Sequence, residues 1–154
     1  MATLLIVHHT TSPPLHAMLE AVVSGATDRR IEGVDVVVRA ALAATAVDAL
    51  GADGYVLGTP ANLGSMSGAL KHFFDTAYYP CLEDTKGRPY ALYVHGNNDT
   101  TGAVRGVEAI TTGLQWRRAR PALSVLGSPT KDDLDELWEL GASLAAGLML
   151  DGPG

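Results

Sequence analysis

The chain has 154 residues, 47% hydrophobic and 18% charged, with a net charge of −6 and an isoelectric point near 5.2. That length suits one domain, residues 1–154, able to bury about two-thirds of the surface its unfolded form exposes. The acidic balance argues against non-specific binding to nucleic acid or an anionic membrane. The single cysteine, Cys81, excludes an internal disulfide framework and a multi-cysteine metal site, and reads as a free surface or loop thiol.

The apolar runs at residues 4–7 and 36–38 fall far short of the ~18 residues of a membrane span. No basic region precedes the first run, so a secretory signal is not indicated and a cytoplasmic location is expected.

Residues 3–8 read as a continuous apolar strand. Pro13 and Pro14 then open a helix on which Leu15, Met18 or Leu19, and Val22 recur at helical spacing. Gly33 ends the next turn, residues 34–38 form a β-branched strand, and residues 40–50 read as an alanine-rich helix. Gly51 and Gly54 bracket the turn into a third strand, residues 55–58. A glycine-rich loop follows, and a helix is expected from about Met66 to Ala77. Residues 78–89, with Pro80, Gly87 and Pro89, read as a surface connection.

Residues 90–95 form the fourth strand and 96–102 a polar loop, and Val104, Val107 and Leu114 mark the helix behind it. The basic cluster Arg117, Arg118 and Arg120 falls where that helix should end, where cations complement its dipole. Residues 122–126 form the fifth strand. Thr130 and Asp133 have capping-box spacing, and Leu134, Leu137, Gly141, Leu144 and Leu148 give the last helix one apolar stripe.

Five strands alternating with five helices specify an α/β fold, a three-layer sandwich around a five-stranded parallel sheet. Right-handed crossovers place helices on both faces. In the strand order 2-1-3-4-5, the first, third and fourth strands are adjacent, and the first and third flank the switch point where such sheets bind ligands. The three loops richest in small and polar residues follow these strands.

The first loop carries His9, Thr10, Thr11, Ser12, Pro13 and Pro14. Hydroxyls and amides at a helix start can hold a phosphate without lysine, but the same hydroxyls can simply cap the helix. The second, after Gly58-Thr59-Pro60, carries Ala61, Asn62, Leu63 and Gly64; it can approach a flat heterocycle closely or be only a tight turn. The third, with Gly96, Asn97, Asn98, Asp99, Thr100, Thr101 and Gly102, can bind the edge of a heterocycle or be an Asx-rich turn. Taken together on adjacent strand ends, the loops favour a ligand site.

These residues resemble the flavodoxin-like FMN proteins, and more closely the NAD(P)H-dependent FMN reductases and quinone reductases of WrbA type. Gly58-Thr59-Pro60 followed by Gly64-Ser65-Met66-Ser67-Gly68 carries the likeness. The resemblance implies a flavodoxin-like fold and bound FMN, with NADH or NADPH as reductant and a small-molecule electron acceptor. It also implies that Thr10, Thr11, Ser12, Pro14, Leu15 and His16 cradle the phosphate. Pro60, Ala61, Asn62, Leu63 and Gly64 would line the isoalloxazine, and His95, Gly96, Asn97, Asn98, Asp99 and Gly102 would hold its pyrimidine edge. Pro13 and Pro14 stand where such loops usually supply amide donors, so the remaining amides and hydroxyls must carry the anion.

Other chemistry has less support. His8 and His9 are adjacent on a strand and point to opposite faces, and His16, His72 and Asp75 fit no zinc spacing. No G-x-G-x-x-G, Walker or G-x-S-x-G motif occurs, so neither a metal nor a catalytic side chain is assigned. A flavodoxin-type one-electron carrier is the first alternative, although acidic residues near the site are few, mainly Asp99. A flavin-free binding protein of the same fold is the second. No nucleic-acid or membrane partner is expected, and homo-oligomer formation is left open.

Overall fold

Alternate residues of the first strand enter two different cores, which makes the sheet the middle layer. In the computed structural model, which describes residues 1–151, Leu4 and Ile6 of β1 (Ala2–His8) join one apolar cluster and Leu5 and Val7 the other. Burial on both faces is the pattern of a parallel strand. Residues 152–154 of the expected domain lie outside the described residues.

The elements that follow are α1 (Pro13–Ala26), β2 (Val34–Ala40), α2 (Ala46–Gly51), β3 (Gly54–Asn62), β4 (Ser65–Met66) and α3 (Gly68–Cys81). Then come β5 (Pro89–Gly96), α4 (Thr101–Leu114), β6 (Arg117–Arg118), β7 (Leu123–Leu126) and α5 (Lys131–Asp151). The sheet runs β2-β1-β3-β5, and β6 and β7 both pair parallel with β5. The expected order 2-1-3-4-5 therefore holds, with its fifth column split in two by residues 119–122.

Helices α1 and α5 cover one face; α2, α3 and α4 cover the other. The first pair packs backbone to backbone. A methyl group on Gly25 would strike the Trp138 carbonyl, and one on Gly141 would strike that of Val22.

Several sequence expectations need correction. The helix expected over 40–50 is only α2: β2 continues to Ala40, which pairs with His8. A reciprocal capping box between Thr45 and Asp48 then sets the helix start at Ala46. Met66 is not the start of α3 but pairs with Ala61 in a hairpin, and Ser67 caps the helix instead.

The connection expected over 78–89 is partly helix, since α3 runs through Pro80 to Cys81. What remains is anchored inward. The fully buried Thr85 donates to the Cys81 carbonyl at 2.8 Å and accepts from the Trp116 indole at 2.8 Å. Cys81 is accordingly not a surface thiol; it is 0% exposed, and burial pushes its pKa up. Arg117 and Arg118 lie beyond the end of α4, in β6, rather than in its last turn. Among the described residues no helix is long and apolar enough to cross a membrane.

Candidate functional site

The carboxyl ends of β1, β3 and β5 lie side by side, with His8 beside Gly58 and Pro60 beside His95 in the ladders. The loops leaving these strands consequently rise from one end of the sheet, at the switch point between β1 and β3.

The second loop is a β-hairpin. Asn62 faces Ser65, and the two residues between them have positive φ, 50° at Leu63 and 80° at Gly64. This is the pattern of a two-residue turn that suits Asn-Gly or Gly-Gly. Leucine rarely adopts it, and Leu63 is moreover fully exposed, at 106%. Thr59, fully buried, holds the hairpin base: its hydroxyl donates to the Pro60 carbonyl at 2.8 Å and accepts from the Ser67 amide at 3.0 Å.

The third loop closes against the hairpin. Ala61, Leu63 and Gly64 face Asn97, Asn98, Asp99 and Gly102 across a crevice of about 350 Å³, the lower range for a small-molecule site. A methyl group on Gly102 would collide with the Gly64 carbonyl, and one on Gly96 would lie 3.2 Å from the Thr100 methyl. Asp99 accepts from the Thr101 hydroxyl at 2.7 Å and its amide at 3.0 Å, and these bonds hold its carboxyl below the usual range.

Buried residues support the loop from below. His95 Nε2 lies 2.8 Å from the Gly127 carbonyl and so carries its proton. The Thr100 hydroxyl donates to Ser124 at 2.8 Å.

The first loop lies apart from the crevice lining. The amide of Leu15 donates to Ser12 Oγ at 3.4 Å and that of His16 to the Ser12 carbonyl at 3.0 Å, while Pro13 and Pro14 have none. The first turn of α1 thus has no amide free for an anion, and contributes only its dipole. Among the described residues nothing accepts from the amides of Thr10, Thr11 and Ser12. Leu15 is buried in the core, and His16 is exposed and pairs with Glu20 at 3.0 Å.

Of the residues singled out in the sequence, seven line the crevice. Pro60, His95 and Gly96 are buried at the strand ends, and Asn62 is exposed in the hairpin. Thr59, Thr100, Ser124 and Gly127 act only as supports, visible once the strand register is known. His8, at the end of β1, touches the first loop: its Nδ1 lies 2.8 Å from Thr10 Oγ1.

A five-column parallel sheet with three loops leaving the carboxyl ends of its adjacent central strands defines a flavodoxin-like α/β protein. Comparison gives the family. The chain belongs to the NADPH-dependent FMN reductase family, whose model matches residues 26–125. A flavodoxin of Aquifex aeolicus (strain VF5) is 37% identical over 75 residues, which are 49% of this chain and 40% of that protein. The match therefore spans less than half the length of that curated relative.

Among solved structures, a flavodoxin from the domain Archaea superposes with a TM-score of 0.81 at 22% identity, covering 95% of this chain and 98% of the other. The flavodoxin, WrbA-like protein from Agrobacterium tumefaciens gives 0.78 at 17% identity, covering 98% and 99%. These two likenesses establish the shared fold.

Proposed function

We propose that this chain is an FMN-binding oxidoreductase that uses NADH or NADPH to reduce a flavin, a quinone or a similar small-molecule acceptor. The observation that carries this reading is the crevice between the hairpin tip and the third loop, together with the three unbonded amides of Thr10, Thr11 and Ser12 at the same sheet end. A flat ring with a phosphate tail matches both features: a crevice whose two walls touch at Gly64 and Gly102, and a separate cluster of donors.

On this reading Thr10, Thr11 and Ser12 hold the phosphate, with Pro14, Leu15 and His16 shaping the turn behind them. Pro60, Ala61, Asn62, Leu63 and Gly64 line the ring, and His95, Gly96, Asn97, Asn98, Asp99 and Gly102 meet its polar edge. Bound flavin supplies the redox chemistry. The side chains orient it and exclude water, and none is assigned a proton-transfer role in the reaction.

The test is the visible spectrum of protein soaked with FMN and desalted, followed by steady-state oxidation of NADH and NADPH with a quinone present. Retained flavin and turnover are expected. Retained flavin without turnover would favour the second reading, a one-electron carrier, which the name of the Aquifex relative supports. Loss of all flavin on desalting would leave a flavin-free binding protein.

A further inference from the structure

The phosphate end of this site has an unbalanced charge. Residues 9–16 contain no lysine or arginine, two prolines remove amides from the helix start, and the next two amides are bonded internally. A phosphate monoester dianion placed on Thr10, Thr11 and Ser12 would meet no fixed cation on the loop. The ionisable group in contact with the loop from below is His8, half-buried at the end of β1, with Nδ1 2.8 Å from Thr10 Oγ1.

We propose, building on the flavin reading above, that His8 is the positioning residue of the phosphate loop and takes up one proton when the phosphate dianion binds. With a lone pair on Nδ1, the imidazole accepts the Thr10 hydroxyl proton, which turns that hydroxyl away from any anion. A proton taken from solvent leaves both ring nitrogens as donors. Nδ1–H then donates to Thr10 Oγ1, the hydroxyl proton is released toward the phosphate oxygen, and the imidazolium offsets part of the anion's charge. The only bond formed is Nδ1–H, from a solvent proton; the Thr10 O–H stays intact and only turns its hydrogen toward the phosphate.

The surroundings make this group responsive. Burial, and then the adjacent His9, hold the His8 pKa below its ordinary value, so the imidazole is neutral at pH 7 without a ligand. No acidic residue lies in the first turn of α1. On β2 the neighbour is Ala40, and the Arg39 guanidinium lies 3.9 Å from Asp48 of α2. On β3 the neighbour is Gly58, and the ring of Tyr93 from β5 occupies the space a side chain there would fill. Tyr93 is fully buried, its hydroxyl has no partner, and burial pushes its pKa far up, so it stays a neutral phenol. His16 is engaged with Glu20. On α5, which covers the same face, Asp133 caps its own helix through the Thr130 amide and Asp135 pairs with Lys131. An arriving dianion would raise the His8 pKa.

The test is titration of the full chain with FMN and with riboflavin between pH 7 and 8.5, above the second phosphate pKa of about 6. Calorimetry in two buffers of different ionisation enthalpy counts the protons taken up. Linkage to one proton predicts FMN affinity falling by up to about tenfold per pH unit, while riboflavin affinity stays flat.

In His8→Leu the advantage of FMN over riboflavin should shrink and the pH slope vanish. In His8→Asn, whose amide can donate permanently to Thr10, affinity should partly return without the slope. Nuclear magnetic resonance of wild-type His8 provides a variant-free check: its titration midpoint should rise when FMN is added. Flat FMN affinity with no proton uptake, or an unmoved midpoint, would overturn the role of His8 alone. Failure to bind any flavin at any pH would overturn the flavin reading as well.

Discussion

Gly102, at the start of α4, lies against the carbonyl of Gly64 at the hairpin tip, with no room for a side chain between them. The contact joins the two loops that form the crevice, and both partners are backbone, which cannot swing aside as a flexible side chain can. Gly102→Ala should therefore displace the hairpin from the third loop. A loss of about 1–3 kcal/mol, the usual cost of overpacking, is expected, divided between stability and flavin affinity. Thermal melting without FMN and fluorescence titration with it would separate the two shares.

The hairpin tip offers a contrasting pair of changes. Leu63 holds a left-handed conformation that costs an ordinary L-residue roughly 1–2 kcal/mol, and asparagine tolerates it better. Leu63→Asn should raise the stability of the ligand-free protein while weakening flavin binding through loss of the exposed leucine. Gly64→Val should act oppositely on stability: space around residue 64 is open, but its φ of 80° suits no β-branched side chain. Denaturant unfolding of both variants checks the signs, and unchanged flavin affinity in both would reduce the hairpin tip to a turn.

Pro13→Gly tests whether the phosphate loop is short of donors. The new amide at the first helical position adds a bond to a charged acceptor, worth about 1.5–3 kcal/mol when well placed. Glycine also enlarges the conformational freedom of the unfolded chain, at a cost of roughly 1 kcal/mol in stability. Tighter FMN binding with a lower melting temperature is the expected pair of results. Weaker binding in a folded variant would mean that the fixed angle of Pro13 shapes the loop.

The ligand-free protein should lose stability in mild acid. Burial and His9 hold the folded-state pKa of His8 below its ordinary 6.5, so on acidification the unfolded chain takes the proton first. The contribution of His8 is complete above that unfolded value and declines as pH falls from about 6.5 through the lowered folded value. Asp99, bonded to Thr101, adds a similar loss only at more acidic pH, below its ordinary 3.8. Melting temperatures from pH 5 to 8 should rise with pH in the wild type and change less in His8→Leu.

Much of this molecule was legible in its sequence because the apolar periods are clean. Five apolar runs alternating with helices gave the parallel sheet, the family likeness gave its order, and the order placed the three loops side by side. The last helix obeyed its signals closely: Thr130 and Asp133 exchange the two expected cap bonds, at 3.1 and 2.8 Å. Alanine at 41, 43 and 44 misled in the other direction, because helix propensity there yields to strand pairing at Ala40 and to the cap at Thr45.

The hairpin inside the second loop was hidden. Its turn uses leucine where asparagine or glycine would have announced it, so only the ladder from Ala61 to Met66 exposes it. The third polar loop was plain from composition, yet its supports at Ser124 and Gly127 depend on which strand lies beside β5. The place of His8 in the site depends on a side-chain contact with Thr10 that no spacing rule specifies.

The broken outer column also bears on how the protein behaves in a crowded solution. A long unpaired strand at a sheet edge is a template on which other chains can aggregate. Here that edge is divided between two residues of β6 and four of β7, with Pro121, which cannot donate to a ladder, in the gap. The opposite edge, β2, carries exposed Asp35 and Arg39. Neither margin offers a long uncharged strand for a neighbouring chain to extend.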